Sequence, residues 1–128
     1  MQCLTVEWVA KAEGDWNSAL RELRARKAPN YDAACFHAQQ CAEKYLKARL
    51  QEAGIAFGKT HNLVALLKIV LPIEPTWDDL RTALQVLTEF AVEVGYPGTM
   101  ADKSMAREAV SHCNHVRQRV RERLRLKE

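Results

Sequence analysis

Glycine and proline are scarce in this chain, five and four residues in 128, and the glycines never cluster. Gly14, Gly54, Gly58, Gly95 and Gly98 stand apart, so no glycine-rich loop is available to wrap a phosphate, and any nucleotide has to be held by side chains. No apolar run approaches the ~20 residues that a membrane span needs, and no charged-then-apolar leader opens the chain. The expectation is a cytoplasmic protein without a membrane partner. The four cysteines, Cys3, Cys35, Cys41 and Cys113, lack paired short spacings, which argues for free thiols and against a disulfide framework or a zinc knuckle. Neither a repeat nor a low-complexity linker is visible. Residues 1–128 therefore read as one domain, long enough to bury a core without staples. No cofactor is implied.

No segment alternates with the period of two expected of a half-buried strand, whereas helical periodicity is nearly continuous. Val9, Ala12, Trp16, Ala19, Leu20 and Leu23 predict a first helix from about Thr5 to Lys27, broken by Pro29-Asn30. A second helix follows and ends at Gly54, a residue suited to the left-handed position past a helix end. Thr60 is the expected cap of a short third helix carrying Leu63, Leu66, Leu67 and Val70, which Pro72 ends. Thr76 and Asp79 have capping-box spacing ahead of Leu80, Ala83, Leu84, Leu87, Phe90 and Val94. After the loop Gly95-Tyr96-Pro97-Gly98, a terminal helix carries Ala106, Ala109, Cys113, Val116, Val120 and Leu124. The expected fold is all-α, an antiparallel up-and-down bundle of four long helices plus one short helix.

The second helix has two chemically different faces. At about 100° per residue, Ala34, Ala38, Cys41, Ala42 and Tyr45 fall in one sector, whose small side chains let a neighbour approach closely. His37, Gln40, Lys44, Lys47 and Gln51 line another. That stripe contains no carboxylate, so it is a candidate anion site, with the lysines on phosphate and the glutamine on a base or sugar edge. The competing reading is a solvated face or one that docks a partner, and Phe36 beside it favours docking.

This same segment carries a family resemblance. Tyr31-Asp32-Ala33-Ala34, His37-Ala38-Gln39-Gln40, Ala42-Glu43-Lys44 and Lys47-Ala48 resemble the signature helix of HEPN domains; Trp8 to Asp15 is similar to the family's opening helix, and Lys59 to Leu63 to its short third helix. The resemblance covers roughly residues 5 to 120. It implies a small prokaryotic HEPN protein of the kind paired with minimal nucleotidyltransferases, often in toxin-antitoxin pairs. It further implies a homodimer that binds a nucleotide or RNA, with the terminal helix and the Phe36 face as candidate dimer surfaces. Catalytic HEPN ribonucleases use an Arg followed four to six residues later by a His, and Arg107 and His112 match that spacing. The implied alternative is thus a metal-independent ribonuclease in which Arg107 grips phosphate and His112 is the acid or base. Five helical steps separate those two side chains by about 140°, so they converge only with a long Arg reach, a distorted helix or a second subunit. Glu108 replaces the neutral polar residue usual after that Arg, Gly95 replaces the Arg of an Arg-Tyr-Pro motif, and Cys113-Asn114 replace the Tyr that follows the His in members regulated by nucleotide transfer.

Two histidine groupings recommend themselves for metal on spacing alone, His112 with His115 and His37 with Cys41. Neither has a third ligand at useful spacing, so no metal site is expected. His61, next to Thr60, is expected to play a structural part at a helix end. The net charge is +3, and Arg117, Arg119, Arg121, Arg123, Arg125 and Lys127 against Glu122 and Glu128 place the whole basic excess at the C-terminus. Cations there suit the negative end of a helix dipole and aid solubility; the alternative is a phosphate-binding patch.

Overall fold

The computed structural model describes residues 1–127. Helix α1 spans Cys3–Arg24, α2 Tyr31–Glu52, α3 Leu63–Val70, α4 Arg81–Glu93 and α5 Lys103–Arg123, with a 3-10 segment, Pro75–Leu80, leading into α4. Among the described residues there is no strand. The result is the up-and-down helical bundle that the periodicity predicts.

Helix α2 is the centre of the bundle because its small residues let other helices come close. Ala34, Ala38, Cys41, Ala42 and Tyr45 are all fully buried. α1 runs antiparallel to α2: Gln2 at its start hydrogen-bonds Glu52 at the end of α2, and Asp15 in its middle meets Lys44. α5 lies parallel to α2, since Ala101 meets Asp32 near one end and Arg121 meets Tyr45 further along. α4 returns antiparallel to α5, with Asp79 ahead of it held by Arg119 near the far end of α5. Leu46, Leu50, Leu63, Leu66, Leu67, Leu84 and Leu87 fill the space between α2, α3 and α4.

Several helix ends differ from the sequence expectation. α1 stops at Arg24 rather than Lys27: Ala25 is already extended, Ala28 ahead of Pro29 takes φ +46°, and the Glu22 carboxylate accepts from Asn30 N at 3.3 Å, closing the link early. Asn30 then caps α2 by accepting from Ala33 N. Gly54 takes φ +71°, and Gly54 N and Ile55 N bond back to Gln51 O and Leu50 O, a Schellman-type end that only a residue tolerant of positive φ closes cheaply. The cap of α3 is Asn62, which accepts from Ala65 N, and Thr60 accepts from Asn62 N; Thr60 lies too far ahead of Leu63 to reach the first turn. The Thr76/Asp79 capping box does not form either. No side chain caps the 3-10 segment, because Asp79 and Thr76 are both engaged by Arg119 of α5, while buried Trp77 and Leu80 pin the segment to the core. α5 begins on Asp102, which accepts from Met105 N.

Candidate functional site

The α2 stripe is assembled as the periodicity predicts, but it is not free of carboxylates. Asp15, at the middle of α1, accepts from His37 Nδ1 at 2.7 Å and from Lys44 Nζ at 2.5 Å. Lys47 donates to Glu43 on its own helix at 3.1 Å and is almost wholly buried between the rings of Trp8 and Phe57, 5.4 and 5.9 Å from their centroids. Gln40 donates to Gln39, which donates on to Glu43. His61 approaches the same Glu43 at 3.0 Å, so its part is to tie the link before α3 to α2. The stripe is therefore internally neutralised: His37, Gln40, Lys44 and Lys47 stand together, each with a partner inside the chain. An aqueous anion would have to displace those partners, several of them little exposed. Phe36 is half exposed, its ring edge-on to His37 at 5.4 Å.

The C-terminal arginines are also largely spoken for. Glu13 of α1 receives a two-pronged bond from Arg117, Nε and Nη2 each at 2.8 Å, together with the Tyr45 hydroxyl. Arg121 lies 3.7 Å from Glu13 and donates to Tyr45 Oη at 3.0 Å. Arg117 also stacks on Trp16, 5.0 Å from the ring centroid. Arg123, with Arg49, meets the buried Glu74. Burial alone would raise the Glu13 carboxyl; the bonds from Arg117 and Tyr45 and the charges of Arg117 and Arg121 outweigh it and hold Glu13 below its ordinary range. The same pairing raises Arg117, chiefly through its bond to Glu13. Burial and the bond to Glu13 push the Tyr45 phenol up, so it stays a hydrogen donor. These arginines fasten α5 to α1, α2 and the 3-10 segment. For Arg117, Arg119, Arg121 and Arg123 the role is therefore pairing across the bundle.

Arg107 is exposed on the first half of α5 and takes part in no ion pair among the described residues. His112 is a quarter exposed, with Nε2 at 3.5 Å from Glu108 one turn earlier. Arg107 instead lines a cleft of about 620 Å³ with Arg24 and Arg26 at the end of α1, Tyr31 opening α2, and Lys103 opening α5. Helical spacing brings Lys103 and Arg107 onto one face, but their meeting with Arg24 and Arg26 depends on packing across the bundle. The basic run at residues 24–27 was its one visible trace in sequence.

Among the described residues no group of three or more His, Cys, Asp or Glu could hold a metal ion. Cys3 is an exposed free thiol, and Cys35, Cys41 and Cys113 are buried free thiols. No described helix is long and apolar enough to cross a membrane.

Bundle and connectivity together define an up-and-down helical fold in which the exposed Arg24, Arg26, Lys103 and Arg107 meet at one cleft. A model of the HEPN domain matches residues 5–123, and the chain belongs to the HEPN domain family. The crystal structure of an archaeal HEPN homologue is similar over 93% of this chain and 96% of its own, with a TM-score of 0.68 at 25% sequence identity. No curated protein matched.

Proposed function

We propose that this protein is a homodimeric HEPN module that binds a nucleotide or nucleic acid and acts with a minimal nucleotidyltransferase partner, in the manner of a toxin-antitoxin pair. The observation that carries the binding reading is the state of the two residues a ribonuclease would need. Arg107 is exposed without an ion-pair partner, while His112 is directed to Glu108 of its own helix. One chain thus offers an unpaired cation for phosphate, while the imidazole a ribonuclease would use already faces a carboxylate of its own helix, and general acid-base work needs the proton-transfer group within hydrogen-bond reach of the reacting atom. The exposed Phe36 ring supports a protein contact on that side of α2, and the resemblance to small nucleotidyltransferase-paired HEPN proteins supports the partner.

The test is an RNA-cleavage assay on the purified protein in EDTA, beside His112→Ala of verified oligomeric state, with nucleotide binding read by thermal shift. Expected are no cleavage by the wild type and a raised Tm with nucleotide, since ligand at a hundred times its Kd adds about 2.7 kcal/mol. Cleavage that disappears in His112→Ala while the dimer persists would overturn this reading in favour of the metal-independent ribonuclease, with Arg107 on the phosphate and His112 as acid or base. A monomer by light scattering would remove the homodimer.

A further inference from the structure

Resting on the binding reading above, we propose that the cleft formed by Arg24, Arg26, Lys103 and Arg107 holds the phosphate backbone of a single-stranded nucleic acid, with Tyr31 as a platform for a base. The charge pattern points there first. Arg49, Arg81, Arg117, Arg119, Arg121 and Arg123 all face carboxylates of this chain, and Lys44 and Lys47 do too. The four cleft cations are exposed, and among the described residues none has such a partner. No acidic side chain lines the cleft. The nearby acids are engaged by backbone amides: Glu22 by Asn30, Asp32 by Ala101 and Asp102 by Met105. Because Asp102 and Asp32 already take amides around the start of α5, ligand phosphates would be gripped by side chains rather than by the helix end.

Size and shape then select the ligand. At about 620 Å³ the cleft falls within the range of about 300–1,000 Å³ common for small-molecule sites, but it does not stand alone. A second concavity of about 410 Å³ along the last turns of α1, lined by Arg21 and Asn17, shares Arg24 and Ala25 with it. A strand lying along α1 and crossing to α5 would meet Arg21 in the one and the four cleft cations in the other, more phosphate contacts than one nucleotide offers. A positive groove with an aromatic side chain is the pattern of sequence-tolerant single-strand binding. Tyr31, half buried and packed on the core, is a ring held in place before any ligand arrives.

The experiment is a salt titration of a fluorescent single-stranded oligouridylate followed by anisotropy in EDTA, on the wild type, Arg24→Ala/Arg26→Ala and the charge control Lys68→Ala on α3. Each phosphate contact contributes about 0.7 to the slope of log affinity against log salt for single strands. The double variant should therefore lose about 1.4 from that slope and about 25-fold in affinity near ~0.1 M salt, with an unchanged melting curve because both side chains are exposed. Lys68→Ala should match the wild type. Binding that is equal in wild type and double variant would overturn the cleft and leave the binding function standing. A nucleotide that raises the Tm while no strand binds would overturn the strand as ligand and keep that function. Failure of both strand and nucleotide to bind would overturn both.

Discussion

Replacing Glu13 should destabilise the bundle more than any surface ion pair would, because three donors from two other helices converge on it. Its side chain is 28% exposed, while those of Arg117 and Arg121 are 15% and 13% exposed, so the cluster lies between the two measured limits. Exposed pairs contribute about 0–1 kcal/mol; removing one partner of a buried pair costs about 3–5 kcal/mol because the other charge is left stranded. Glu13→Ala strands two guanidinium groups and the Tyr45 hydroxyl, and a cost of about 2–3 kcal/mol follows from that intermediate burial. For 128 residues, an unfolding entropy of about 2.1 cal/mol/K per residue totals about 0.27 kcal/mol/K, so the Tm should fall by about 7–11 °C. Glu13→Gln keeps an acceptor oxygen without the charge and should fall between.

The pH dependence gives the same reasoning a second readout. The folded-state pKa of Glu13 lies below its ordinary 4.5. A carboxyl shifted in that direction contributes stability above the unfolded value, and the contribution disappears as pH falls through the lower folded value. The gap in Tm between wild type and Glu13→Ala should thus be full at neutral pH and close in acid below 4.5. Differential scanning calorimetry at a series of pH values measures both. A drop of less than about 2 °C at neutral pH, or a gap that widens in acid, would refute the view that this cluster fastens α1 to α5.

Two further outcomes follow from other buried groups. Lys47→Ala leaves Glu43, itself 3% exposed, with only Gln39 and the exposed His61; urea unfolding should show a loss of about 3–5 kcal/mol, and Lys47→Met combined with Glu43→Leu should recover most of it. Alkylation of the native protein at neutral pH should modify Cys3 alone and all four cysteines once unfolded, as read by intact mass; burial, with Asp32 and Asp102 nearby, pushes the Cys35 thiol up to about 11, and burial beside Cys113 raises Cys41 further out of reach.

What could be read in the sequence was what a single helix decides for itself. The small face of α2, the Leu63/Leu66/Leu67/Val70 face of α3 and the breaks at Pro29 and Gly54 depend on spacing within one element, and all appear in the fold. What could not be read depends on which helices touch. The α2 stripe lacks carboxylates only when taken alone, for Asp15 is 22 residues before His37. Thr76 and Asp79 have capping-box spacing, yet Arg119, some 40 residues on, takes both. The C-terminal arginines looked like a loose basic tail because Glu13 and Glu74 are 104 and 49 residues away from Arg117 and Arg123. Pairing across the bundle thus changed which cations are available: Arg117, Arg119, Arg121 and Arg123, concentrated in sequence, are paired, and Arg24, Arg26, Lys103 and Arg107, dispersed in sequence, collect in a cleft.

The start of α5 shows that this division conflicts with what helix stability alone favours. Acids belong in the first turn of a helix, where the dipole is positive, yet the first turn of α5 has none and opens with Lys103. A cation there is unfavourable by about 0.3–1 kcal/mol, and the like charge of Arg107 four residues on adds about 0.2–0.5 kcal/mol. A local choice that opposes its own element is characteristic of positions retained for binding. Lys103→Glu reverses both terms and creates a favourable Glu-to-Arg pair, so it should stabilise by about 1–3 kcal/mol and raise the Tm by about 4–11 °C. In the anisotropy assay the same variant should weaken strand binding by at least as much as either cleft arginine does. Opposite signs in the two measurements identify a residue kept for its ligand. A variant that is both less stable and unchanged in binding would mean that Lys103 serves the fold instead.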